Sequence, residues 1–190
     1  MSTLSTTNLK NPSSGSNNIV LAADGSVTVS ALQGGITSGT AVATTSGTSI
    51  DFTGIPSWVK RITVILNGVS TNGTSNYQVQ LGAGSITSSG YLSSNTIVNS
   101  AGANLVTATS GIIVFQPTAA ADTCIGSLAL SLISSNTWIG AGNAYRTNAG
   151  ATVQMAGSLA LGGTLDRVRL TTVNGTDAFD AGSVNILYEG

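Results

Sequence analysis

Apolar and polar residues alternate along much of the chain with the period of a strand that has one buried face. Lys60–Gly68 (KRITVILNG) puts Ile62, Val64 and Leu66 on one side, and Tyr77–Leu81 puts Tyr77, Val79 and Leu81 inward against Gln78 and Gln80. Gly126–Ser134 continues the pattern through Leu128, Leu130 and Leu132, and Ser183–Glu189 through Val184, Ile186 and Tyr188. Ile112–Phe115 is a short, wholly apolar strand. Turn signals separate these runs. Ala23-Asp24-Gly25 between Ile19-Val20-Leu21 and Ser26–Ser30 predicts a hairpin. A Ser-Ser-Asn turn joins Gly126–Ser134 to Thr137-Trp138-Ile139, and Gly162-Gly163 predicts that Met155–Leu161 pairs with Leu165–Val173. Gly34–Ser49 is rich in Gly and Thr and weakly patterned. No window keeps a helical apolar stripe without a glycine interrupting it, so no helix is expected.

Roughly ten short strands punctuated by turns predict an all-β fold, an antiparallel β-sandwich with jelly-roll topology. The sandwich is expected over residues 18–190, preceded by a polar N-terminal arm over residues 1–17. Leu4 and Leu9 are the arm's sizeable apolar side chains after the first Met, which makes them the expected docking residues. Such a segment buries too little to order itself and needs a partner. One internal echo stands out: a basic, β-branched strand start at Lys60–Val64 and at Asp166–Leu170 is followed by Asn72-Gly73-Thr74 and Asn174-Gly175-Thr176 respectively.

Charge changes the picture. Only 7% of the residues are charged, with six basic and seven acidic, against about 25% in an ordinary globular chain. Ser, Thr, Asn and Gly make up 91 of the 190 residues. A neutral hydroxyl-and-amide surface forgoes charge repulsion between copies, and together with open sheet edges it leads to the expectation of a homotrimer. Phosphate binding needs clustered Lys and Arg, and Ile62–Tyr145 holds neither, so no nucleic-acid partner is expected. No basic segment precedes an apolar core at the N-terminus and no apolar run reaches about 18 residues, so neither a signal peptide nor membrane insertion is expected.

The chain contains no histidine. That removes the usual general base, the Ser-His and Cys-His pairs and the commonest zinc ligand, so the expectation is a protein without catalytic residues or cofactors. Cys124 has no partner for an intrachain disulfide and reads as a small buried hydrophobe. Asp177 and Asp180 share the NGTDAFDAG loop, where solvation or an Asx turn is the first reading, Ca²⁺ ligation the second and carboxylate catalysis the third. Turn chemistry likewise explains the two Asn-Gly-Thr acceptor patterns better than glycosylation. The candidate interface or receptor contacts are Trp138, which sits in a short strand and also suits the core, and Tyr91 and Tyr145-Arg146, which read as loop residues where a sugar-stacking contact would place them.

Three segments carry a resemblance to a known group. Thr7–Ser14 with Asn18–Gly25, Ile50–Gly82 (IDFTGIPSWVKRITVILNGVSTNGTSNYQVQLG) and Leu165–Glu189 (LDRVRLTTVNGTDAFDAGSVNILYE) resemble virion proteins of tailed bacteriophages, especially cyanophage tail-fibre proteins and related small sandwich domains. The resemblance covers roughly half the chain and contains no catalytic signature. It implies a phage structural protein in the virion, commonly trimeric and made in the host cytoplasm. On that reading the chain is a tail-fibre or baseplate-associated protein. Its arm meets other virion proteins and its loops meet a host surface glycan. A capsid decoration (cement) protein bridging major-capsid subunits is the alternative, and a carbohydrate-active enzyme the remote one.

Overall fold

The structure is a computed structural model, and it describes residues 8–9, 12–13, 19–25, 27–29, 35–148 and 150–190. The chain divides into two compact units, residues 1–35 and 36–190. No helix occurs among the described residues.

In the first unit β1 (Asn8–Leu9), β2 (Ile19–Leu21) and β3 (Val27–Val29) form a three-stranded antiparallel sheet in the order β1-β2-β3. The hairpin expected at Ala23-Asp24-Gly25 is present, with the Gly25 N–H donating to Ala22 O at 3.1 Å and Gly25 at φ +84°. Glycine occupies that left-handed position because it has no Cβ to strain. The chain divides after Gly35, and Asn8–Leu9 pairs with Ile19–Val20 of the hairpin; most of the arm expected over residues 1–17 lies outside the described residues. Leu4 lies outside the described residues, and of Leu9 only the backbone pairing to Ile19 is described.

The second unit is a pair of packed antiparallel sheets. Its strands are β4 (Thr37–Ser38), β5 (Val42–Ala43), β6 (Ser49–Thr53), β7 (Arg61–Thr71), β8 (Tyr77–Ala83), β9 (Ser85–Ile86), β10 (Leu92–Asn99), β11 (Gly102–Ala108), β12 (Ile112–Phe115), β13 (Cys124–Ser134), β14 (Thr137–Arg146), β15 (Ala151–Ala160), β16 (Arg167–Thr172) and β17 (Phe179–Glu189). The large sheet runs β11-β10-β15-β14-β13-β7-β17-β4, with β5 also on β17. The small sheet runs β12-β8-β16-β6, with β9 on β8. The pairing is nested: β5 with β17, β6 with β16, β7 with β13 and β8 with β12. Two insertions, the hairpin β10–β11 and the strand pair β14–β15, extend the large sheet beyond β13.

The core lies between the sheets. Ile62, Val64, Leu66, Leu128, Leu130, Val184 and Ile186 from the large sheet meet Tyr77, Val79, Leu81, Val168 and Leu170 from the small one. Each fully buried side chain of this size contributes roughly 1.5–3 kcal/mol relative to exposure. Tyr77 packs against Phe115 and Phe179 with ring centroids 5.1 and 6.1 Å away.

Three expectations are corrected here. Gln78 and Gln80 do not face water: both are buried, with Gln80 Nε2 donating to Ser110 O at 2.8 Å and Ser110 Oγ donating to Gln78 Oε1 at 2.8 Å. Met155–Leu161 does not pair with Leu165–Val173; β15 pairs with β14 and β10, while β16 lies in the other sheet. Residues 161–166 cross between the sheets, tied by Leu161 N–H to Asn136 O (3.0 Å) and by Asp166 N–H to Gly82 O (3.0 Å). The strand opened by Thr137-Trp138-Ile139 runs through the glycines to Arg146.

Candidate interaction surface

Of the four interface residues expected from the sequence, three are interior. Tyr91 is 1% exposed, and its hydroxyl accepts from Leu81 N–H at 2.6 Å and donates to Thr87 O at 3.0 Å. Burial pushes its pKa up to about 12. Trp138 is buried between its strand neighbours, opposite Leu132 and Leu159. Arg146 is 3% exposed, with Nη1 donating to Gln116 O at 3.3 Å and Nε 3.9 Å from Asp122 Oδ2. Neighbours on a strand point to opposite faces. Arg146 therefore enters the interior while Tyr145 stands exposed outside, and the pair cannot act as one site.

Asp122 is the counterpart of Arg146. It accepts from Thr118 N–H (2.7 Å), Thr118 Oγ1 (3.0 Å) and Ala119 N–H (3.1 Å). Burial works to raise its pKa, but those hydrogen bonds and the Arg146 charge hold it below the usual carboxylate range. Beside this pair, Gln116 Nε2 donates to Asn95 Oδ1 at 2.7 Å and Asn95 Nδ2 donates to Ile113 O at 3.1 Å. Polar Ser93 and Asn95 thus face inward from β10 while Leu92 and Val98 face out. That inverted alternation hides β10 from a reading of hydrophobic periodicity.

Asp177 and Asp180 engage different partners. Asp177 accepts from Ser75 N–H at 2.9 Å and Asn174 Nδ2 at 2.6 Å, and these bonds, Asn174 first, hold its carboxyl below the ordinary range. Asp180 accepts from the Ser70 hydroxyl. Among the described residues no three His, Cys, Asp or Glu side chains gather as metal ligands would. The echoed Asn-Gly-Thr segments meet in one loop cluster: Asn72 Oδ1 accepts from Ala178 N–H at 2.9 Å and Asn174 N–H donates to Ser75 Oγ at 3.0 Å. Cys124 is buried, and burial pushes its thiol pKa far up, leaving it unreactive.

What the fold does assemble is an uncharged outer face. β10, β11, β13 and β15 carry no charged residue, and the one on β14, Arg146, points inward. Register places the outward residues in rows across the strands. Leu92 and Ile139 both oppose Ser158. The next row is Ser94, Ala156, Ala141 and Ala129, followed by Thr96, Gln154, Asn143 and Ser127. The last row is Val98, Thr152, Tyr145 and Ile125, while Leu105 stands opposite Thr96. Leu92 is 72% exposed and Leu105 61%, and Val98, Ile125, Ile139 and Tyr145 are exposed as well. Leu92 and Ile139 flank a shallow groove of about 680 Å³ floored by Ala141 and Ala156. Sequence reasoning found only Tyr145 of this set, because the others declare themselves only once register brings five strands together.

No protein-family model and no curated protein sequence matches this chain.

Proposed function

We propose that this chain is a non-enzymatic structural protein that works by assembly, as a component of a bacteriophage particle. The observation that carries the assembly reading is the uncharged, partly apolar outer face of five adjacent strands. Large apolar side chains exposed together on an uncharged face mark interaction sites. The absence of histidine and the separate engagement of Asp177 and Asp180 support a non-enzymatic role. The phage assignment rests on the resemblance of Ile50–Gly82 and Leu165–Glu189 to tail-fibre proteins. We infer a jelly-roll wiring, supported by the nested pairing of β5–β8 with β12, β13, β16 and β17, an arrangement of two Greek keys recurrent in capsid and lectin domains.

Within this reading the chain is a tail-fibre or baseplate-associated homotrimer that meets a host surface glycan. Of the residues first expected to touch that glycan only Tyr145 is exposed. Quantitative mass spectrometry of the particle tests the role: a few to a few dozen copies fit a fibre or baseplate position, and hundreds fit capsid cement. A particle that lacks the chain would overturn the virion assignment.

A further inference from the structure

Resting on the assembly reading, we propose that the outer face of β11-β10-β15-β14-β13 is the contact surface for a second copy of this chain. The apolar Leu92–Ile139 row of one copy seats over the alanine trough of the other. The face is built for this in three respects.

Relief comes first. Leu92 and Ile139 project on either side of Ser158, and the adjoining row, Ser94, Ala156, Ala141 and Ala129, is small throughout. A ridge beside a trough on one surface lets the ridge of one copy enter the trough of the next, whether the contact is two-fold or runs round a ring. Beyond the trough, Gln154 and Asn143 stand opposite each other and carry both donors and acceptors. A copy of this same amide row can satisfy them across the contact.

Charge selects the occupant. A partner with charged side chains would have to desolvate them against alanine and leucine without compensation. A second copy brings none, because the same strands are uncharged on their outer side. Size agrees. Five strands about 4.8 Å apart and roughly eight residues long at about 3.4 Å each present a flat footprint of about 650 Å². That approaches the roughly 800 Å² per partner of a standard stable interface, before side-chain relief is counted. The face ends at β11, which among the described residues pairs only with β10 and carries neither charge nor proline to blunt its edge.

The test uses the full-length purified chain at micromolar concentration, with native mass spectrometry and light scattering. Wild type should be multimeric. Leu92→Lys and Ile139→Lys place an unpaired charge in the contact, and together they should raise the self-dissociation constant by about a hundredfold or more, leaving monomer. Both side chains are exposed in the single chain, so the unfolding midpoint of the variants should stay near wild type. Val173→Lys, at an exposed apolar residue beyond β16 and off this face, should leave the multimer intact. A monomeric wild type, a multimer that survives the double variant, or equal dissociation by Val173→Lys would overturn the proposal. A wild-type monomer that captures only a glycan or another virion protein on this face would overturn it too. The virion assignment fails separately, through particle mass spectrometry, whether or not the purified chain multimerises.

Discussion

Gly140 and Gly157 face each other across β14 and β15, and the side chain of Ile112 fills the space above both. A Cβ on Gly140 would lie 2.9 Å from Ile112 Cδ1 and 3.0 Å from Leu130 Cδ2. One on Gly157 would lie 2.8 Å from the Leu92 carbonyl oxygen and 2.9 Å from Ile112 Cγ1. The two glycines let the small sheet's edge strand β12 settle against the extension of the large one.

The two positions should therefore respond differently to rescue. Gly140→Ala and Gly157→Ala are each expected to destabilise by about 1–3 kcal/mol through overpacking. Ile112→Val removes the Cδ1 that crowds Gly140 and should recover part of the first loss. It should recover little of the second, where a backbone oxygen is the obstacle. Urea unfolding of the single and double variants measures both couplings, and equal rescue at the two sites would show that the crowding is misplaced.

The buried Arg146–Asp122 pair sets an acid limit. Asp122 has a folded pKa below its unfolded value, so its contribution to stability is complete above the ordinary carboxylate range and is lost as pH falls through the folded pKa. Unfolding free energy should drop on acidification, and Asp122→Asn should flatten that drop while lowering stability at neutral pH. Removing either partner leaves the other as an uncompensated buried charge. Arg146→Met and Asp122→Ala are each expected to cost about 3–5 kcal/mol. A pH profile identical in wild type and Asp122→Asn would rule the pair out as the acid-sensitive element.

The Asn-Gly-Thr cluster should behave as a latch without a metal. A Cβ on Gly73 would fall 2.1 Å from Asp177 Oδ2, so Gly73→Ala must displace the carboxylate from Ser75 and Asn174. The expected loss is about 1–3 kcal/mol, the penalty of disrupting charge-assisted hydrogen bonds. Thermal unfolding should be indifferent to added Ca²⁺ or to chelator, in wild type and in Asp177→Asn alike. A melting temperature that rises with Ca²⁺ in wild type and not in Asp177→Asn would establish the ion site instead.

Strands with one apolar face were legible in the sequence by themselves. Ile62-Val64-Leu66, Leu128-Leu130 and Val184-Ile186 alternate because one side of each packs on the core and the other does not. The Asp24-Gly25 hairpin was legible for an equally local reason, a turn that demands positive φ. Tertiary structure decided the rest. β10 is a strand although its Ser93 and Asn95 point inward, because Asn95 finds Gln116 and the Ile113 carbonyl only after β12 arrives. Glycines at 140, 142 and 157 read locally as breaks, yet they lie within strands where neighbouring strands of the same chain leave no room for a Cβ. Tyr91 and Arg146 read as surface residues in polar surroundings, yet Leu81 and Thr87 hold the Tyr91 hydroxyl inside and Gln116 and Asp122 hold the Arg146 guanidinium. The uncharged face was present in the sequence only as missing charge. Strand register, which depends on long-range pairing and not on local preference, gathered Leu92, Ile139 and Tyr145 onto one side of one sheet.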